Sequence, residues 1–167
     1  MIQVYTGNGK GKTTAALGQA LRAAGGGLKI YICQFLKNGC YCELTAIKKF
    51  KNIKVEQFGR AFFIRKNPAQ KDRELAKRGL NKAKEIICAG YYDVVILDEI
   101  NPALKLGLLE LRDVISLIKS APGKTELILT GRQAHPEIVK AADLVSEIKE
   151  VKHYYKKGVK ARKGIEF

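Results

Sequence analysis

The stretch that decides the fold of this chain is Thr6-Gly7-Asn8-Gly9-Lys10-Gly11-Lys12-Thr13-Thr14, a glycine-rich loop near its first residue. The apolar run of residues 1–5 precedes this loop, and residues 15–24 follow it with helical spacing. A strand, a glycine loop ending in Lys-Thr and then a helix form the context that makes such a motif a phosphate site. Glycines let successive backbone N–H groups converge on one anion, because no Cβ blocks the approach.

Triphosphate binding is the function that this loop predicts, with each residue from Thr6 to Thr14 a candidate contact. The start of the helix adds its positive end, Lys12 adds a full charge, and the Thr13 hydroxyl is suited to hold Mg²⁺. Thr6 stands five residues before Gly11, where the common P-loop has glycine, so the loop is a variant. A glycine-rich turn that merely joins two elements is the competing interpretation.

Size and composition predict a single domain over residues 1–167. The chain is 46% apolar, which is enough for a buried core. It has no run of about eighteen apolar residues, so we expect no membrane span. The first strand starts at once and leaves no room for a signal peptide, so we expect a cytoplasmic protein. In such a protein we expect the four cysteines to be free thiols and not disulfides. Cys40 and Cys42 are not expected to bind zinc, because they lack the second ligand pair that a zinc site usually has.

The charge balance suggests a polyanionic ligand. Formal net charge is +15, from 31 Lys plus Arg against 16 Asp plus Glu. Such an excess suits a nucleotide or a nucleic acid, and it also occurs as a solvated lysine-rich surface. The basic residues are scattered, and no aromatic platform for single strands is evident, so we do not expect nucleic acid as a partner. A nucleic-acid-dependent P-loop ATPase is kept as the alternative function.

Strand-like and helix-like segments alternate along the chain. Strands are predicted at residues 1–5, 29–34, 53–58, 93–97, 126–130 and 144–148, helices at 15–24, 43–50, 68–89, 108–118 and 136–141, and a hairpin-like tail around 157–158. This order predicts an α/β fold with a mostly parallel sheet and helices on both faces, the P-loop NTPase (RecA-like) architecture. Ligands of such sheets bind beyond the carboxyl ends of the strands, so the loops after the strands should share one rim.

Two further elements on that rim are candidate parts of a phosphate site. Asp98 and Glu99 follow the apolar run 94–97, as in a Walker B strand, and a carboxylate there can hold Mg²⁺ opposite Thr13. A helix N-cap is the competing interpretation of this pair, and in a hydrolase Glu99 could orient a water. Arg132 follows the strand 126–130 and can clamp phosphate oxygens, or it is a surface arginine. The chain does not match the pattern of a dinucleotide site, because Gln34 ends the second strand where such a site has an acidic residue.

These pieces together resemble the ATP:corrinoid adenosyltransferases of the P-loop type. The matching segments are residues 4–16, 34–37, 97–101, 129–132, 142–145, 152–153 and 163–166, in order from near the first residue to near the last. Thr6, unusual in an ordinary P-loop, is the residue that the pattern of this family has there. The motifs are individually modest, and their ordered combination is specific.

The resemblance implies adenosyl transfer rather than phosphoryl transfer. In that family a cobalt(I) corrinoid attacks the 5′ carbon of ATP, and the whole triphosphate leaves. Lys12, Arg132 and Mg²⁺ would then stabilise the charge of the leaving group, with Thr13 and Glu99 as metal ligands and Asp98 as a further candidate. Arg22 matches an arginine of the family's loop helix and is expected to help with phosphate.

The resemblance also implies a way to bind the corrinoid. Family members place aromatic side chains against the lower face of the corrin, which favours four-coordinate cobalt. Phe62 falls on one of these positions, whereas Ile64 falls where some members have tryptophan, so Phe63 or another apolar residue would take that place. Burial as ordinary core residues is the competing interpretation for Phe62 and Phe63. The family further suggests a homodimer and an unidentified reductant of cobalt, while the choice of corrinoid is open.

Overall fold

The computed structural model describes residues 1–60 and 67–167. The strands are β1 Ile2–Thr6, β2 Ile30–Phe35, β3 Ile53–Phe58, β4 Val94–Asp98, β5 Glu126–Thr130 and β6 Leu144–Glu147. The helices are α1 Lys12–Gly25, α2 Cys42–Ile47, α3 Gln70–Ala89, α4 Ile100–Lys105, α5 Leu111–Ser120 and α6 Pro136–Ala141, with a 3₁₀ helix at Tyr154–Lys157. Strands and helices alternate, as the sequence predicts.

All the strands join one six-stranded sheet in the order β3-β2-β4-β5-β1-β6, and every pairing is parallel. β2 and β4 are buried at every residue, which explains their continuous apolar runs. Gln34 pairs in register with Asp98, and Tyr5 pairs with Thr130. The carboxyl ends of these four strands therefore meet at one rim, and the predicted fold class is confirmed.

Helices cover both faces of the sheet. On one face α1 lies with its alanines Ala16, Ala20 and Ala23 against the central strands, and Ile47 of α2 packs beside it. Small side chains allow α1 to approach the sheet closely, which brings its first turn to the strand ends. The opposite face is covered by α3, α4, α5 and α6, which enclose the larger of the two apolar clusters.

One helix was not predicted, and one expectation was wrong. Residues 100–105 form α4, and Pro102 is tolerated there because it lies in the first turn, where its missing N–H costs nothing. The tail forms no hairpin. Instead, the His153 imidazole accepts the Tyr155 N–H and caps a 3₁₀ turn, which ends at Gly158 with φ 78°.

Within residues 1–60 and 67–167, no helix has both the length and the apolar character needed to cross a membrane. All four cysteines are free.

Candidate phosphate and metal site

The glycine loop connects the end of β1 to the start of α1, and two of its glycines have left-handed backbone. Gly7 has φ 96° and Gly11 has φ 118°, conformations that side chains disfavour. Space also requires glycine here. A Cβ at Gly7 would lie 2.4 Å from the carbonyl oxygen of Ile148, and one at Gly9 would lie 2.7 Å from that of Lys149. The segment after β6 therefore packs directly against the loop, and the Gly9 N–H donates to the Ile148 carbonyl at 2.7 Å.

Lys12 is the buried cation of the loop. Its side chain folds back, and its Nζ donates to the Gly9 carbonyl oxygen at 2.6 Å. Burial lowers the pKa of the Lys12 ammonium, and the positive charge of Arg132 lowers it further. A poorly hydrated ammonium interacts strongly with an anion, since little water has to be displaced from either charge. Lys12 is thus placed as a phosphate-binding lysine would be.

The Asp98 carboxylate accepts hydrogen bonds from several elements that meet at the rim. Its side chain is 1% exposed, and both carboxylate oxygens are fully engaged by donors from other elements. Oδ1 accepts from the hydroxyls of Thr13 at 2.8 Å and Thr130 at 2.7 Å. Oδ2 accepts from Gln34 Nε2 at 3.0 Å and Lys37 Nζ at 2.7 Å. The carboxylate thereby ties the first turn of α1 to the ends of three neighbouring strands.

Lys37 pairs with this buried carboxylate. Burial acts to lower the pKa of the Lys37 ammonium, but the charge and hydrogen bond of Asp98 outweigh it, so the pKa is raised overall. The ammonium therefore stays charged and neutralises Asp98.

Glu99 is held in a strained conformation beside Asp98. Its backbone has φ 63°, which is uncommon for a non-glycine residue, and its N–H donates to the Thr130 hydroxyl at 3.0 Å. Although Glu99 is the N-cap residue of α4, its carboxylate makes no capping hydrogen bond, so capping does not account for it. Burial and the Asp98 charge raise its pKa, opposed by the charges of Lys37, Lys12 and Arg132.

The donor set on the rim fits a magnesium ion shared with a triphosphate. Mg²⁺ prefers hard oxygen ligands, and the Thr13 hydroxyl, the Asp98 carboxylate and the Glu99 carboxylate supply them. The residues that the structure describes contain no group of three or more His, Cys, Asp or Glu side chains that could hold a metal by themselves. That is the usual situation for Mg²⁺, which takes one or two carboxylates and completes its shell with waters and phosphate oxygens.

The loop after β5 places Arg132 next to the phosphate loop. Gly131 has φ 127°, and a Cβ there would lie 2.2 Å from Cδ of Pro102, so glycine is required. The Thr6 hydroxyl accepts the Ala134 N–H at 3.2 Å and joins the two loops. This bond gives a structural role to the threonine that is unusual in the motif. The exposed Arg132 side chain is close enough to Lys12 to lower its pKa.

The other residues predicted to contact the nucleotide are exposed or contact other parts of the chain. Asn8 and Thr14 are exposed at the rim. The ammonium of Lys10 contacts the C-terminal segment, donating to Glu166 Oε1 at 2.8 Å, to the Tyr154 hydroxyl at 2.8 Å and to the Ile165 carbonyl at 3.0 Å. All of these contacts with nucleotide stay predictions.

Arg22 lies at the opposite end of α1 from the loop. Ten residues of helix separate it from Lys12, a rise of about 15 Å. Its guanidinium donates to Gln19 on the same helix at 3.3 Å. Within one chain the two residues are thus well separated along α1, and the role of Arg22 in phosphate binding stays a prediction.

Phe62, Phe63 and Ile64 lie outside the described residues, so their predicted role against a corrin stays a prediction. The chain entering that segment is anchored by Arg60, whose guanidinium forms two bonds of 2.6 Å to the buried Asp72 carboxylate. Asp72 also accepts the Ala69 N–H at 2.8 Å, at the start of α3. The Arg60 hydrogen bonds hold the pKa of the Asp72 carboxyl below its usual range.

Residue patterns did not assign roles to Lys37, Gln34 or Thr130. Each lies at or just after the end of a predicted strand, so the rule that ligands bind beyond strand ends could have marked them as candidates. That rule does not say which side chains form hydrogen bonds across the strands.

Comparison with known proteins agrees with this geometry. The profile of the family described as ATP:corrinoid adenosyltransferase BtuR/CobO/CobP matches residues 1–167. A corrinoid adenosyltransferase of Pseudomonas aeruginosa is 36% identical over 169 residues, spanning 100% of this chain and 83% of that protein. The corrinoid adenosyltransferase CobA of Salmonella typhimurium is 34% identical over 167 residues, spanning 100% of this chain and 85% of that protein. This chain therefore belongs to the ATP:corrinoid adenosyltransferase family.

Proposed function

We propose that this protein transfers the 5′-deoxyadenosyl group of ATP to the cobalt(I) of a corrinoid and releases triphosphate. The observation that carries the proposal is the family match over the whole chain, including the phosphate loop. The geometry of the loop supports it, because Lys12 is buried there and the Thr13 hydroxyl reaches Asp98 at 2.8 Å. In the reaction the electron pair of cobalt(I) forms the cobalt–carbon bond, and the C5′–oxygen pair leaves on the triphosphate.

The protein's main task in such a reaction is to stabilise the leaving group. Negative charge builds on the triphosphate oxygen as the carbon–oxygen bond breaks, and preorganised cations lower the barrier. Lys12 is held in place by the Gly9 carbonyl, and Arg132 lies close to it on the neighbouring loop. The Lys12 ammonium would exchange its bond to the Gly9 carbonyl for phosphate oxygens, and the Arg132 guanidinium would donate to them as well.

Mg²⁺ is the proposed cofactor, held by Thr13 and Glu99 with Asp98 as a further ligand, and when bound it would neutralise charge on the triphosphate. No residue has to activate water in this reaction. Glu99 is therefore assigned as a metal ligand rather than as a base. Its strained backbone, fixed by the Thr130 hydroxyl, would hold its carboxylate toward the rim.

Phe62 is proposed to lie against the lower face of the corrin and to exclude an axial ligand. Cobalt(I) is reached more easily from a four-coordinate centre, so this residue would act mainly on the reduction step. The electron donor is a separate reductant, still unidentified. We further propose a homodimer in the cytoplasm, where ATP is available; sedimentation of the purified protein tests the dimer.

Product analysis separates this function from the alternative. The protein is incubated with ATP, Mg²⁺ and chemically reduced cobalamin, with and without single-stranded DNA. Adenosylcobalamin and intact triphosphate, unaffected by DNA, are expected. ADP and phosphate in amounts that DNA increases would instead support a nucleic-acid-dependent ATPase, for which the phosphate loop and the net charge of +15 are the favourable observations.

A further inference from the structure

The ammonium group of Lys37 lies between two of the oxygens assigned to the metal site. Its Nζ is 2.7 Å from Asp98 Oδ2 and 3.3 Å from the Thr13 hydroxyl. The Lys37 side chain is 17% exposed and that of Asp98 is 1% exposed, so this ion pair is screened little by water. A magnesium ion bound to the same oxygens at about 2.1 Å would lie next to the ammonium. Two cations this close repel each other strongly at a site that water screens little.

The backbone next to Lys37 is strained. The preceding residue, Leu36, has φ 60°, a left-handed conformation that is strained for leucine. The backbone at this turn also presses against Gly59, where a Cβ would lie 2.4 Å from both the Leu36 carbonyl carbon and the Lys37 nitrogen. The centre of the Tyr41 ring lies 5.7 Å from the ammonium. The turn after β2 thus directs one lysine back across the rim.

We propose that Lys37 is a built-in counter-ion of the metal site, and that its ammonium exchanges with Mg²⁺ instead of binding beside it. A buried carboxylate without a partner is strongly destabilising, and Lys37 supplies the partner whenever no metal is bound. It thereby lowers the affinity for free Mg²⁺ and favours an ion that arrives with a triphosphate, whose charge compensates both cations. The displaced ammonium remains on the rim beside the phosphate loop. This inference rests on the proposed assignment of Thr13 and Asp98 to Mg²⁺.

The test measures Mg²⁺ binding without nucleotide or corrinoid, so it is independent of adenosyl transfer. Chelator-treated wild type and Lys37→Met are titrated with MgCl₂ by calorimetry, and melting temperatures are recorded at each Mg²⁺ concentration. Lys49→Met, at an exposed lysine, controls for the loss of one positive charge. Lys37→Met is expected to bind Mg²⁺ at least tenfold more tightly than wild type or Lys49→Met. It should also melt lower in chelator and gain more from Mg²⁺ than either of them.

Equal or weaker Mg²⁺ affinity in Lys37→Met, with no larger gain in melting temperature, would overturn the exchange. If Lys37→Met does not fold, amine labelling of wild type decides. Millimolar Mg²⁺ should increase modification of Lys37 relative to Lys49, whereas unchanged labelling would contradict the proposal. A protein that shows the exchange and yet forms no adenosylcobalamin would refute the proposed function and leave this inference standing.

Discussion

Thr130 and Thr125 offer a matched test of the hydrogen-bond network around Asp98. Both residues are buried, at 0% and 1% exposure, and Thr→Val conserves the shape of the side chain at each. The Thr130 hydroxyl donates to Asp98 at 2.7 Å and accepts the Glu99 N–H at 3.0 Å. The Thr125 hydroxyl has no hydrogen-bond partner within residues 1–60 and 67–167. The same substitution thus removes two bonds at one site and none at the other.

The expected cost of Thr130→Val follows from those two bonds. A hydrogen bond to a charged group contributes about 1.5–3 kcal/mol, and an ordinary one about 1 kcal/mol. Asp98 keeps its bonds to Thr13, Gln34 and Lys37, so the total should be about 2–4 kcal/mol. For a chain of this size that lowers the melting temperature by roughly 5–15 °C. Thr125→Val removes a buried hydroxyl without a partner, and leaving such a group unpaired costs about 1–3 kcal/mol, so this variant should be as stable as wild type or more stable.

Urea unfolding, followed by circular dichroism, gives the free energy of unfolding of each variant from its midpoint. The slope m checks that both variants unfold from an equally compact state. The two variants should differ by at least about 2 kcal/mol. Equal stabilities would mean that the bonds to Asp98 and Glu99 contribute nothing to the folded state, contrary to this prediction.

The remaining predictions concern the nucleotide, the corrin, the tail and the start of α3. Lys12→Ala should lower adenosyl transfer by at least about a hundredfold, as expected when a preorganised cation is removed, with an unchanged circular dichroism spectrum; near-normal activity would remove the triphosphate assignment. Phe62→Ala should slow the reaction from cobalt(II) more than that from prepared cobalt(I), and equal losses would count against its role. Glu166→Gln should speed tryptic cleavage of the tail, because Lys10, Tyr154 and Arg162 all donate to this carboxylate; cleavage no faster than in Glu147→Gln would argue against the anchor. The pKa of Asp72 is lowered in the folded state, so its stabilising contribution is present above the usual carboxyl range and is lost below about pH 4. Asp72→Asn should flatten the acid side of the stability curve, and an unchanged curve would exclude that pair as its origin.

Most of the fold was predictable because the strands and the loop carry strong local signals. β2 and β4 are buried on both faces, so they read as uninterrupted apolar runs. The glycine loop identified the first strand and helix together. The helix α4 was not among the predicted helices, since it has only six residues and directly follows a strand end that was expected to continue as a loop.

The position of the candidate site could be predicted from where the strands end, but the contacts between its side chains could not. Thr13 and Asp98 were expected at one rim, and the structure joins them by a hydrogen bond of 2.8 Å. Lys37 was not assigned, since its direction depends on the left-handed backbone of Leu36 and on its close packing with Gly59. Such conformations arise from tertiary packing and leave no periodic signal. The phosphate role expected of Arg22 stays a prediction, since within one chain Arg22 lies about 15 Å along α1 from Lys12.

In the proposed reaction C5′ of ATP moves to cobalt while the triphosphate leaves whole. Reaction of the protein with [5′-¹³C]ATP, Mg²⁺ and cobalt(I) cobalamin, followed by ¹³C and ³¹P NMR, measures this directly. We expect the ¹³C label to appear bonded to cobalt in equal amount with inorganic triphosphate. Label that remains in ADP or AMP, with phosphate or diphosphate as the other product, would contradict the account.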